Sequence, residues 1–291
     1  MHAGEVSTDA ALARRLLAAQ MPQWADLPIR PVSSYGTDHA IYRLGDDLAV
    51  RMPRIDWAAA QAAKEAEWLP RLAPHVPLAL PVPREIGEPG EGYPFRWAVY
   101  EWLPGHDLTH PVDDLEQVAM DLAAFVRALR GVDTTGAFPR DVGARGSPHA
   151  DRDDDVRRRI AELGDRIDGK AALRCWEQSL EAAAWESDVW VHGDLLPGNL
   201  LVVAGRLSAV IDFGGLNVGD PACDLQPAWN VFAGASRARF LADVGVDDAA
   251  LARGRGWVVS QTVMALPYYW DSNAAIVRQA SRALSEVLAD C

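Results

Sequence analysis

The stretch VHGDLLPGNLLVVAGRLSAVIDFGG, residues 191–215, constrains this chain more than any other part of it. Two apolar, β-leaning runs, NLLVV and LSAVI, flank Ala204, Gly205 and Arg206, the composition of a tight hairpin turn. Residues equidistant from such a turn face each other, so Asn199 falls opposite Ile211 or its neighbour. Paired strands lie about 4.8 Å apart, and the spacing therefore predicts that Asn199 and Asp212 end near one point. Asp194 precedes Asn199 in a segment made irregular by Pro197 and Gly198, so it curls back toward the same end. One asparagine and two aspartates converge at the rim of an apolar strand pair.

That donor set has a definite chemistry. Amide and carboxylate oxygens suit Mg²⁺, which prefers oxygen ligands and keeps waters that a phosphate replaces. A carboxylate left over from metal binding accepts a proton from an alcohol. The order Asp-x4-Asn followed by Asp-Phe-Gly is the one that phosphoryl transfer of the protein-kinase kind uses for base, metal asparagine and metal aspartate.

The rest of the chain supplies a setting for this chemistry. Its 291 residues, 49% of them hydrophobic, bury a sizeable core in two modest domains or one large one. No apolar run approaches the roughly 18 residues of a membrane helix and no basic head precedes an apolar stretch, which predicts a cytoplasmic protein. The net charge of −13 without a basic block argues against nucleic acid and anionic membranes as partners and admits a cationic one. Cys175, Cys223 and Cys291 are far apart and odd in number, so they are expected to be plain thiols, in neither a disulfide framework nor a zinc cluster.

Along the chain, STDAALARRLLAAQ predicts a helix capped by Ser7 or Thr8, and AIYRLGDDLAVRMP predicts a hairpin around Gly45, Asp46 and Asp47. A helix over residues 56–69 follows, then a proline-rich connection with short extended pieces, then the strand RWAVYEWL and a break at Pro104-Gly105. The domain boundary is placed there, between 1–104 and 105–291. Beyond it, Leu115, Val118, Leu122, Phe125, Val126 and Leu129 repeat at helical spacing up to Gly131. Further helices are expected over 171–185, 254–266 and 274–288, while GARGSPHADRDDDVRRR reads as a charged, solvated loop without chemistry. Asp220 before Pro221 reads as an N-cap followed by the first helical residue.

VHGDLLPGNL together with VIDFGGLNVGDPACDL resembles the aminoglycoside phosphotransferase family, whose fold is similar to that of the protein kinases. The resemblance runs from about Ser33 to the C-terminal helices. It implies an α+β, two-lobed, protein-kinase-like fold: a small N-terminal antiparallel sheet plus helix that binds nucleotide, and a larger, mainly helical C-terminal lobe with the catalytic loop and the acceptor site. By resemblance Asp194 is the catalytic base, Asn199 and Asp212 are metal ligands, His192 supports the catalytic loop, and Asp224 orients that loop by accepting backbone hydrogen bonds.

On the nucleotide side, the Ala49-Val50-Arg51 of LAVRMP resembles the Ala-Ile-Lys of kinase folds, with Ala49 beside adenine and Arg51 in place of the lysine toward the phosphates. The lysines of the sequence, Lys64 and Lys170, stand where neither substitutes. Glu65 and Glu67, two apart on the next helix, face different ways, and Glu65 matches the position that resembles the partner acid. SSYGTDH stands where a glycine-rich phosphate loop belongs but has only Gly36, leaving Ser34, Thr37 or backbone amides to touch phosphate. The backbone from Glu101 to Leu103 is the expected adenine hinge.

The implied activity is transfer of the γ-phosphoryl of ATP or GTP, with Mg²⁺, to a hydroxyl of a small, cationic antibiotic such as an aminoglycoside. A macrolide, an endogenous metabolite, or no acceptor at all in a nucleotide-binding pseudokinase are the alternatives. Intact Asp194, Asn199 and Asp212 speak against the pseudokinase. In the C-terminal region PAWNVF and LPYYWDSN offer Trp229, Trp270 and Asp271 as acceptor contacts, with core packing the alternative for both tryptophans.

Overall fold

The computed structural model describes residues 5–32 and 38–291. The chain folds into two compact units, one of residues 1–74, 78–105 and 209–214, the other of 75–77, 106–208 and 215–291.

The first unit is a five-stranded antiparallel sheet with a helix on each face. Helix α1 (Ala10–Gln20) is followed by β1 (Ile29–Pro31), β2 (His39–Leu44), β3 (Leu48–Pro53), α2 (Gln61–Leu72), β4 (Pro83–Gly87) and β5 (Trp97–Glu101), in the strand order β1-β2-β3-β5-β4. The alternation in HAIYRL and LAVRMP sets the register, Leu44 opposite Leu48 and His39 opposite Pro53. On one face Leu12, Leu16 and Leu17 of α1 pack against Tyr42, Val50, Met52, Trp97 and Val99. On the other, Ala62 of α2 packs with Ala98 and Tyr100, which leaves Arg51 on the face that α2 covers.

Local chemistry moved several boundaries. The cap of α1 is Asp9, whose carboxylate accepts the Leu12 amide at 2.7 Å, in place of Ser7 or Thr8. Residues 56–58 form a separate single turn, so α2 begins later than expected, at Gln61, and it continues through Pro70 because Trp68, Leu69 and Leu72 are buried. Gly87 has a packing reason: a Cβ there would lie 2.1 Å from Trp97 Cε2. Gly87→Ala is therefore expected to lower the melting temperature, by a cost of about 1–3 kcal/mol, without touching the candidate site. Thermal unfolding followed by calorimetry checks this.

The second unit is mainly helical. It runs β6 (His106–Asp107), α3 (Leu115–Arg130), α4 (Asp153–Leu163), α5 (Gly169–Glu181), β7 (Val189–Val191), β8 (Leu200–Val203), β9 (Arg206–Val210), β10 (Asn217–Gly219), α6 (Pro227–Asn230), α7 (Gly234–Val244), α8 (Asp248–Tyr269) and α9 (Ala274–Asp290). Helix α3 packs on α7, and α8 is the hub against which α4, α5 and α9 pack. Strands β8 and β9 form the expected hairpin, with Ala204 and Gly205 both at positive φ, 50° and 77°, as a two-residue turn of this hand requires. At the end of β9 Val210 donates its amide to Ala79 O at 3.1 Å, and residues 209–214 belong to the first unit.

Two expectations are corrected in this unit. The charged segment is not a loop throughout: Asp153, Asp154 and Asp155 occupy the first turn of α4, where carboxylates favour the helix dipole, and Val156, Ile160 and Leu163 bury its inner face. Cys175 and Cys291 are not plain thiols but a disulfide with Cα atoms 5.6 Å apart. Their separation of 116 residues hid the pair, which arises because α5 and α9 both pack on α8. Cys223 is a buried free thiol. Among the described residues no helix is long and apolar enough to cross a membrane.

Candidate active site

In the first unit the polar groups gather around Arg51, in the middle of β3. Its Nη1 donates to Glu65 Oε1 at 2.8 Å and its Nη2 to Asp212 Oδ1 at 2.6 Å. Glu65 is fully buried; its Oε2 accepts the Tyr100 hydroxyl at 2.5 Å and its Oε1 also accepts the Gln61 amide at 2.8 Å. Gln61 reaches Asp212 Oδ1 as well, at 3.1 Å. Helical phase decides between the two glutamates: Glu67 points outward to Arg71, 3.8 Å away.

The electrostatics of this group are those of a cation boxed by two carboxylates. Burial disfavours the Arg51 charge, but Glu65 and then Asp212 reverse this and raise its pKa. Burial likewise pushes Asp212 up, yet Arg51, His39 and the Gln61 bond override it and hold the carboxyl at about 2. His39, unremarked in the sequence, sits beside this group; burial first and Arg51 second take its imidazole down to about 3, against the pull of Asp212. It is a neutral ring at physiological pH. Asp212 adopts φ 63°, the left-handed region that aspartate tolerates better than most residues, and this aims its carboxylate at Arg51.

The other nucleotide-side positions take their places as follows. Ala49 is buried in β3 opposite Tyr100. Glu101 pairs in the sheet with Leu48, its side chain turned to Arg84 at 2.6 Å, and Leu103 is half-buried just beyond the strand. Ser34 and Thr37 lie outside the described residues.

In the second unit the loop between β7 and β8 carries Asp194. Asp224 clamps it: Oδ2 accepts the His192 amide at 2.8 Å and Oδ1 the Gly193 amide at 2.7 Å. Burial pushes the Asp224 carboxyl up, opposed by His192, by these two amides and by Arg130. His192 is fully buried and its Nδ1 accepts the Asp194 amide at 3.2 Å, so its ring holds the loop from within. The Gly193 carbonyl accepts from Gln226 and Gln261, each at 3.2 Å. Gly193 needs its missing side chain: φ is 80°, and a Cβ would meet Gly215 O at 2.7 Å. Asn199 closes the turn by donating to Asp194 O at 2.8 Å and reaching Asp194 Oδ2 at 3.4 Å.

Asp220 caps the turn that holds Asp224, accepting the Ala222 amide at 2.9 Å, and its other oxygen accepts from buried Arg253 at 3.0 Å. A cation that sequence reasoning passed over stands at the loop: Arg145 Nη2 lies 3.6 Å from Asp194 Oδ1. Its place inside a charge run read as solvated hid it, although the glycines on either side, Gly143 and Gly146, signal backbone held close to other chain.

Of the acceptor candidates, Trp229 is corrected to a core position, because it has no exposed surface and its indole N–H donates to Asp290 at 3.2 Å. Trp270 is half-buried with the Arg166 guanidinium 4.6 Å from its ring centre, and Asp271 is exposed. Among the described residues no cluster of three or more His, Cys, Asp or Glu side chains could hold a metal. The expected pair, one amide and one carboxylate, would leave most positions to water and phosphate.

Residues 29–257 match the APH phosphotransferase enzyme family. The chain belongs to the APH family. The fold of this family member is kinase-like, with a small antiparallel-sheet unit and a larger helical one. It is similar to the solved GDP complex of aminoglycoside 2'-phosphotransferase-IIIa, at 17% identity and TM-score 0.77 over 97% of this chain and 99% of that one. It is similar also to the GDP and kanamycin complex of APH(2")-IIIa, at 18% identity and TM-score 0.74 over 96% and 98%. A macrolide 2'-phosphotransferase from Brachybacterium faecium is 25% identical, with TM-score 0.63 over 95% of this chain and 98% of that one. No curated protein matches the APH-family chain in sequence.

Proposed function

We propose that this APH-family phosphotransferase moves the γ-phosphoryl of a nucleoside triphosphate to a hydroxyl of a small, cationic antibiotic of the aminoglycoside kind. The observation that carries the reading is the loop of Asp194, its backbone clamped by Asp224, His192 and Asn199 so that a carboxylate is presented at a fixed place. Asp194 is the base that takes the proton of the acceptor hydroxyl. Arg51, steadied by Glu65, is the cation for the nucleotide phosphates, and its planar fork suits phosphate oxygens. We assign the nucleotide to the unit of Arg51 and the acceptor to the helical unit, with adenine or guanine along the backbone from Glu101 to Leu103.

The residues present fit Mg²⁺, since Asp212 keeps Oδ2 beyond its bonds to Arg51 and Gln61, and Asn199 donates through its amide nitrogen and leaves its oxygen for a cation. Asp212 and Asn199 would hold it, and when bound it neutralises charge on the phosphates. The solved relatives include complexes with GDP, kanamycin and gentamicin, and the acidic balance of this chain, −13, favours a cationic acceptor. A macrolide is the second reading, favoured by the 25% identity to the macrolide enzyme.

Incubation with ATP or GTP, Mg²⁺ and a panel of aminoglycosides and macrolides, with mass detection of phosphorylated product, tests the proposal. On the donor side, Arg51→Ala is expected to raise the nucleotide KM, and Glu65→Ala to act in the same direction. Glu65→Ala also strands the buried Arg51 and Tyr100 groups, so it should cost about 3 kcal/mol of stability as well. Steady-state kinetics and thermal unfolding on both variants check this; normal nucleotide kinetics in both would assign the phosphates to another cation.

A further inference from the structure

Arg145 stands 3.6 Å from Asp194, and both side chains are about a quarter exposed, 28% and 26%. Its position is built by the surrounding backbone. The carbonyl of Gly146 accepts the Asp220 amide at 2.8 Å, and that of Gly143 accepts from Arg152 at 2.7 Å. The aliphatic stem lies on the catalytic loop itself, since a Cβ on Gly193 would come within 2.7 Å of Arg145 Cβ and Cγ. The guanidinium is held differently. At 3.6 Å it forms an ion pair and not a hydrogen bond, and among the described residues it makes no hydrogen bond. The arginine next to it, Arg152, instead directs its donors to Ser260 and the Gly143 carbonyl. Residues 192–199 contain no lysine or arginine of their own.

We propose that Arg145 is a catalytic residue whose guanidinium binds the transferring phosphoryl group; this rests on the phosphotransfer reading given above. The acceptor oxygen must come within about 2.6–3.2 Å of the Asp194 carboxylate to give up its proton. Phosphorus then bonds to that same oxygen, which brings the phosphoryl oxygens within reach of a guanidinium 3.6 Å from the base. As the acceptor oxygen–phosphorus bond forms, the bond from the γ-phosphorus to its bridging oxygen breaks. The electron pair leaves with the nucleoside diphosphate and the acceptor proton goes to Asp194. The three peripheral oxygens stay negative throughout, and the unspent N–H donors of Arg145 meet them.

The test needs no acceptor. Arg145→Met keeps the stem on Gly193, and Arg145→Lys keeps the charge. GDP and ADP binding with Mg²⁺ is measured by calorimetry with and without aluminium fluoride, which mimics the transferring group, together with the slow release of inorganic phosphate from GTP and ATP in water. Diphosphate affinity is expected to stay unchanged in both variants. The gain in affinity from fluoride and the kcat of hydrolysis should fall by about 10²-fold in Arg145→Met, less in Arg145→Lys, at unchanged nucleotide KM. Added guanidinium ion should restore part of the Arg145→Met rate. Wild-type fluoride affinity and hydrolysis in Arg145→Met would overturn the role of Arg145 and leave the phosphotransfer reading standing. A wild type that binds neither diphosphate would overturn both.

Discussion

Asp194→Ala is expected to leave nucleotide affinity nearly intact and to cut phosphoryl transfer by about 10²-fold or more. In the proposed reaction the carboxylate acts on the proton of the acceptor, while the nucleotide is assigned to Arg51, Glu65 and Asp212. The backbone of the loop is held chiefly by other groups, because Asp224 and His192 bond its amides and Asn199 its Asp194 carbonyl. Thermal stability should accordingly change little. Nucleotide affinity by calorimetry and transfer rate by product mass, measured on the same preparation, separate the two effects. A variant that transfers at the wild-type rate would remove Asp194 from the role of base.

Asp212→Asn is expected to reduce turnover by about 10²–10³-fold and to abolish the dependence of nucleotide affinity on Mg²⁺. Asparagine accepts the same positive φ, so the change removes charge more than shape. Two things follow from the lost charge: the proposed Mg²⁺ ligand is removed, and of its two carboxylate partners Arg51 keeps Glu65. The pH dependence has a definite sign. Asp212 is held at about 2, below its ordinary 3.8, so its ion pair stabilises the fold above 3.8 and is lost as pH falls toward 2. It contributes no titration near neutrality, and Asp212→Asn should flatten the acid limb of the stability curve. Nucleotide titrations with and without Mg²⁺ check the first expectation; an unchanged Mg²⁺ effect would contradict it.

How far the sequence was legible depended on whether the signal was local. The hairpin at Ala204-Gly205 and the cap at Asp220 follow from turn chemistry and capping within a few residues, whereas helical phase only set Glu65 and Glu67 on different faces and the family resemblance chose Glu65. Arg145 did not follow, because its function as a neighbour of Asp194 depends on a backbone bond from Asp220 to Gly146 that no spacing announces. The Cys175–Cys291 bond stayed hidden for the same reason, because it joins residues 116 apart that come together only where α5 and α9 pack on α8 and on each other. Trp229 shows the opposite failure, an aromatic read as a possible contact surface that packing encloses completely. Helix α4 was masked by charge, since its polar face dominates the sequence while three apolar residues carry its packing.

The central claim is that this chain transfers a γ-phosphoryl group to a small-molecule hydroxyl by way of Asp194. Single-turnover transfer tests it most directly: enzyme in excess over γ-labelled GTP or ATP, with Mg²⁺ and each acceptor of an aminoglycoside and macrolide panel, the label followed into product by mass. The expected result is label on an acceptor hydroxyl with the wild type, lost with Asp194→Ala although the variant still binds the nucleotide. Nucleotide bound by the wild type with no label on any acceptor would contradict the account and favour a nucleotide-binding protein without transfer activity.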